Sequence, residues 1–197
     1  MGSSLPRSFY ERSAVVVARA LLGARLVRCL GGQRLAGIIL ETEAYQGEED
    51  LACHARAGLT PRTQVMYGPA GHAYVYFTYG VHWMLNVVTE PEKTPAAVLI
   101  RGMQPVEGLE AIARLRPAAT TDGPAKLTQA LAITGAQNGV DLCDPHGELW
   151  IEPGEPVSDE QVTVGPRVGI ASVPEPWRSI PWRFLARPAA APHWRKP

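Results

Sequence analysis

Glu41, Glu43 and Tyr45 stand at alternate positions in the run GIILETEAYQ. In an extended strand, side chains alternate between faces, so these three share one face while Thr42 and Ala44 share the other. Two carboxylates and an aromatic ring on one face, next to an apolar stretch, can serve as an acid/base site beside a ring that stacks on a planar substrate. The same pattern also fits a frayed strand edge carrying solvated Glu, and the spacing alone does not choose between them. Glu48, Glu49 and Asp50 follow at once and read as solvated loop acids. His54 closes the stretch as an isolated imidazole.

A second dense region is AYVYFTYGVHW, residues 73–83. Tyr74 and Tyr76 share a strand face. Aromatic strands most often make cross-strand packing, yet aromatics near Arg also stack on nucleobases. Tyr79 precedes Gly80 and either faces the other side or projects from a turn there. A large ring at a hairpin tip is a candidate wedge between base pairs. Asn86 lies inside the apolar run MLNVV and Arg101 inside VLIRGM. A buried polar group without a partner costs roughly 1–3 kcal/mol, so Arg101 needs an acidic or carbonyl partner. Glu43 or Glu41 supplies it if the two strands are neighbours.

These residues need elements to position them. Residues 13–22 read as a short helix with Ser13 as its N-cap and Gly23 past its end. ARLVRCL and QRLAGIILETEA read as two strands about a Gly-Gly turn. Residues 46–72 read as loop, and 73–80, MLNVVTE and AAVLIRGM as three more strands. Residues 106–116 have helical spacing, and Gly123-Pro124 opens another helix. The later part is Pro- and Gly-rich with short strands at ELWIE, QVTV, RVGIA and RFLA. Strands and helices are segregated, so the class is α+β in one domain spanning residues 1–197, with 1–7 and 188–197 expected to be loose ends.

Composition narrows the function. The 197 residues carry no net charge, with Arg concentrated near both ends. Two basic ends can form one face for a polyanion, although Arg on surface helices and tails is common anyway. No apolar run approaches the roughly 20 residues of a membrane span, so a cytoplasmic protein without membrane contact is expected. Cys29, Cys53 and Cys143 are scattered and no HExxH or CxxC spacing occurs. Neither a metal site nor a disulfide framework is expected. Lys126, at a helix start, is a candidate phosphate contact.

The blocks ETEAY, AGLTPRTQVMYGPAGHAYVYFTYGVHWMLNVV, LIRGMQPVEGLE, GPAKLTQALAI, RVGI and PWRF occur in this order. Together they resemble the alkyladenine DNA glycosylase family, also called the 3-methyladenine or methylpurine DNA glycosylases, from about residue 8 to residue 186. The resemblance implies a curved antiparallel sheet with flanking helices and a protruding β-hairpin that enters the DNA minor groove. It implies a bacterial, nucleoid-associated repair enzyme acting as a monomer without metal or organic cofactor. Its partner would be double-stranded DNA bearing damaged purines of the 3-methyladenine, 7-methylguanine, hypoxanthine and ethenoadenine class. Glu43 matches the family's general base, and Arg101 and the Val168 main-chain carbonyl match groups around the attacking water. Tyr45, His54 and Tyr76 match the base-pocket walls, Asn86 the residue that crowds normal guanine, and Tyr79 the intercalating residue. Met66 remains a candidate second DNA contact. Two rival readings stand beside this one: a non-catalytic lesion-binding module, and a hydrolase using Glu41 and Glu43 as a pair on free nucleosides.

Overall fold

The computed structural model describes residues 3–117 and 120–187. Eight strands form one antiparallel sheet, with a continuous path β3-β4-β5-β2-β1-β6 and β7 and β8 attached beside β2. The strands are β1 (Arg25–Leu30), β2 (Gln33–Gln46), β3 (Ala73–Thr78), β4 (His82–Thr89), β5 (Ala96–Glu107), β6 (Leu149–Glu152), β7 (Val162–Gly165) and β8 (Arg183–Ala186). The expected α+β class is what the chain adopts.

β2 is the spine. Gly31 and Gly32 join it to β1 with φ of 57° and 79°, the doubly left-handed turn that matches the twist of a two-residue hairpin. One edge of β2 pairs with β5 along its length, from Ala36↔Glu107 to Gln46↔Ala96. The other edge pairs first with β1, up to Ile38, and then with β8 at Glu41, Thr42 and Glu43. Register shifts on either side of Glu41 mark bulges in the β2–β5 ladder. A bulge re-aims side chains locally, and here it falls where the two carboxylates sit.

Four helices are present among the described residues: α1 (Arg7–Tyr10), α2 (Ala14–Ala20), α3 (Leu109–Leu115) and α4 (Pro124–Ala130). Ser13 caps α2 by accepting the Val16 N–H, which satisfies one of the helix's orphan donors. α2 covers the face of β2 opposite the acids. Thr42 donates its hydroxyl to the Ala18 carbonyl at 2.7 Å, and Ala44 joins the main core with Val17, Ala18 and Leu21. Period two in β2 therefore separates a core face from a polar face. α3 begins at Leu109, because Val106 and Glu107 complete β5 and Gly108 turns with φ of 71°.

Two expectations about the chain differ from the structure. RVGIA forms no strand; after β7 it runs as a loop that lines a cavity beside β2. Residues 3–7 are not a loose end. Leu5 is buried and donates its N–H to the Ile151 carbonyl at 2.8 Å, and Arg7 pairs with Asp141 at 2.6 Å. Residues 188–197 lie outside the described residues. Among the described residues, no helix is long and apolar enough to cross a membrane.

Gly23 carries the chain from α2 into β1 with φ of 90°, and a Cβ there would lie 2.0 Å from the Glu155 carbonyl oxygen. Backbone strain and a backbone clash act together at this position. Gly23→Ala should lower unfolding free energy by about 2 kcal/mol or more, read as the shift in a urea denaturation midpoint; an unchanged midpoint would contradict this packing.

Candidate active site

Several segments of the chain converge on one cavity of about 320 Å³. Tyr45 comes from the end of β2, and His54 from the 3-10 turn His54–Ala57. Tyr76 comes from β3, Asn86 from β4, Arg101 from β5, and Val168 from the loop after β7; all line the cavity. Tyr79 lines it too, from the turn joining β3 and β4, where it is 84% exposed with φ of 52°. A non-glycine residue at positive φ is uncommon. Here it holds a large ring in solvent beside the cavity.

Glu43 has no exposed surface. Its carboxylate touches three of the cavity-lining residues. Oε2 accepts the Tyr45 hydroxyl at 2.9 Å, and Oε1 accepts the Val168 N–H at 2.7 Å. The Arg101 guanidinium spans both oxygens, at 3.3 Å from Oε1 and 3.4 Å from Oε2. Arg101 also reaches Glu41 at 3.1 Å, and Arg183 reaches the same Glu41 oxygen at 2.6 Å. The acid–Arg pairing expected at the sheet centre is present, because β2 and β5 are neighbours.

The two carboxylates are not equivalent. Glu41 faces two guanidinium groups, whereas Glu43 shares one. Burial holds the Glu43 carboxyl above its ordinary range, only partly offset by Arg101, the Val168 N–H and the Tyr45 hydroxyl, and reinforced by the Glu41 charge. Burial and the Glu43 charge push the Tyr45 phenol well above its usual value, so it stays a hydrogen-bond donor. A carboxyl raised in this way is a stronger base than a solvated one, which suits proton abstraction near neutral pH.

The outer walls are polar and uncharged. His54 Nδ1 lies 2.9 Å from the Tyr74 hydroxyl, and its ring meets Tyr76 edge to face at 4.5 Å. Burial, with Arg62 and Arg56 nearby, lowers the His54 pKa to about 4, so the imidazole is neutral at neutral pH. Burial raises Tyr76 to about 12. Asn86 is buried and donates Nδ2–H to the Tyr74 carbonyl at 3.0 Å.

Other expectations fare differently. Met66 is 2% exposed and packs with Cys53, Tyr74 and Val88. It lines the cavity and is shielded from the outer surface. Val168 meets Glu43 through its N–H, a contact separate from the carbonyl that the resemblance places at the attacking water. Lys126 is half-exposed and pairs with Asp122 at 2.8 Å. Asp50 is no solvated acid: it is fully buried against Arg167. Asp50, Arg167 and Arg183 were missed because each finds its partner more than 100 residues away. Among the described residues, no group of three or more His, Cys, Asp or Glu is placed to hold a metal.

Similarity to known proteins bears on this arrangement. A family model described as methylpurine-DNA glycosylase matches residues 8–189. Three relatives named "Putative 3-methyladenine DNA glycosylase" align over most of their length. The one from Myxococcus xanthus (strain DK1622) is 53% identical, covering 93% of this chain and 90% of its own. That from Methanocella arvoryzae is 49% identical, covering 91% and 90%. That from Carboxydothermus hydrogenoformans is 48% identical, covering 93% and 95%.

The raised Glu43 carboxyl has a consequence for stability. A carboxyl with a higher folded than unfolded pKa favours folding when protonated. That advantage is lost as pH rises from the unfolded value, about 4.3, through the folded one. Glu43→Gln lacks this loss. The melting temperature of the variant minus that of the parent should therefore be larger at pH 8 than at pH 4.5, as thermal melts at the two values will show. A difference that stays flat or shrinks with pH would mean that burial does not penalise the Glu43 charge.

Proposed function

The chain belongs to the methylpurine-DNA glycosylase family, and from that premise we propose that it flips alkylated or deaminated purines out of duplex DNA and hydrolyses their N-glycosidic bonds with a water activated by Glu43. Membership makes it a DNA glycosylase, hence a hydrolase acting on DNA. The proposed substrates are the 3-methyladenine, 7-methylguanine, hypoxanthine and ethenoadenine class. The observation that carries the reading is the unexposed Glu43 carboxylate, held directly behind three residues that line an aromatic cavity, Tyr45, Arg101 and Val168.

In this reading the target base leaves the stack at a cost of a few kcal/mol. Tyr79 fills the gap it leaves. The base stacks between Tyr45 on one side and Tyr76 with His54 on the other, each stacking contact being worth roughly 1–3 kcal/mol. Asn86 crowds the 2-amino group of normal guanine. The bond from the sugar C1′ to the purine nitrogen breaks with its electron pair going to the base. The sugar becomes oxocarbenium-like, the water oxygen bonds to C1′, and Glu43 accepts the water's proton. Arg101 and the Val168 N–H hold Glu43 in place.

The enzyme would be monofunctional, because strand cleavage through a Schiff base needs an amine nucleophile. Lys126 is held by Asp122, and we assign it to phosphate contact. We further propose a monomeric, cytoplasmic repair enzyme comprising a single domain. The free-nucleoside hydrolase reading loses ground because Glu41 is fully buried between Arg101 and Arg183.

Duplexes each bearing one damaged purine, assayed for abasic sites, should show base release by the parent enzyme with no sensitivity to EDTA. Glu43→Gln should slow single-turnover release by about 10²–10⁴-fold while duplex binding persists. Tyr79→Ala should weaken duplex binding or flipping. Near-parental release by Glu43→Gln would remove Glu43 as the base, and turnover of free nucleosides insensitive to Tyr79→Ala would point to the nucleoside hydrolase.

A further inference from the structure

Arg167 takes no part in the reaction just described, yet its side chain is fully buried and makes more polar contacts than any surface Arg needs. Its Nη2 meets Asp50 Oδ1 at 2.9 Å, and its Nη1 meets Oδ2 to complete a two-pronged pair. Nη1 also donates to the Ala44 carbonyl at 3.0 Å, and Nη2 to the Trp177 carbonyl at 3.3 Å. The guanidinium Cζ lies over the Tyr45 ring, 4.7 Å from its centre, and over the Trp182 ring, 5.2 Å from its centre. Asp50 in turn accepts the Ala52 N–H at 3.0 Å and the Gln46 N–H at 3.3 Å, fixing the loop that leads to His54. One guanidinium thus joins the end of β2, the loop after it, the segment around Trp177 and its own loop.

A buried ion pair is weak evidence for stability, since apolar residues of similar volume often serve as well. What the pair does here is geometric. Three residues contact the Glu43 carboxylate: Arg101, Tyr45 and Val168. Arg167 stacks on the second and is bonded in sequence to the third. We propose that the Asp50–Arg167 pair is a positioning clamp that holds the Tyr45 hydroxyl and the Val168 N–H on Glu43 and thereby sets how basic Glu43 is.

The pair acts through donors, not through its own charge on the site. The charged and titratable groups facing Glu43 are Glu41 and Tyr45 on β2, Arg101 on β5 and Tyr76 on β3. Arg183 acts on Glu41 from β8. Both clamped donors favour the ionised carboxylate. Loosening them raises its affinity for a proton, and the acid side of the rate profile should move to higher pH.

This inference rests on Glu43 being the general base, so the experiment separates the two. Single-turnover release of a damaged purine from duplex DNA is measured from pH 5 to 9. Arg167→Lys keeps the charge but loses the planar fork and the stacking. Asp50→Leu combined with Arg167→Met removes the clamp without leaving a buried charge. Each should move the acid limb up by about one pH unit, roughly tenfold in rate on that limb, with the deficit closing at high pH and duplex affinity within about twofold of the parent. Arg34→Lys, which disturbs the distant pair with Glu152, should leave the limb in place. A limb that does not move in either variant, or two variants that fail to fold by circular dichroism, overturns the clamp. If Glu43→Gln still releases the base, the fault lies with the general-base reading itself.

Discussion

Two carboxylates without exposed surface sit one pleat apart on the central strand, and the sheet brings to them the cations and donors that offset their burial. Burying an ionised carboxylate costs several kcal/mol unless cations and donors replace the lost water. β5 must lie beside β2 so that Arg101 can reach both acids, and β8 must take over β2's other edge so that Arg183 can reach Glu41. The loop after β7 must return so that an N–H can reach Glu43. The split is uneven. Two guanidinium groups serve Glu41, whereas Glu43 relies on one shared cation and two neutral donors. That asymmetry leaves Glu43, with the fewer cations, the carboxyl that burial raises.

Much of this was legible in the chain. Alternation placed Glu41, Glu43 and Tyr45 on one face and Thr42 and Ala44 on the other, because period two is a geometric property of strands. Gly31-Gly32 announced its turn because few residues accept consecutive positive φ. Arg101 announced its need for an acidic or carbonyl partner because no apolar strand buries a guanidinium alone. The resemblance then selected among side chains that the pattern left equivalent.

The unread part has a common cause, which is distance along the chain. Asp50 follows two other acids in a polar loop, and nothing local distinguishes it from them; its partner lies 117 residues on. The RVGIA segment has strand-like composition, but its role is to return over the cavity, and Val168 is 47% exposed there. Nothing in the run RTQVMYGPAGH shows that the Met66 side chain packs inward against Cys53 and Tyr74. In each case a tertiary partner decided the outcome over local composition.

The arrangement also orders events during synthesis. The ribosome makes both carboxylates first, Arg101 some 60 residues later, and Arg183 142 residues after Glu41. A nascent chain that has collapsed without β8 carries an open edge on its central strand and an acid short of one cation. Pairings so remote in sequence form late, after local structure. The charge balance at the heart of the sheet is therefore completed by β8, far along the chain from β2, and a chain released before β8 lacks one of the two Arg residues that pair with Glu41.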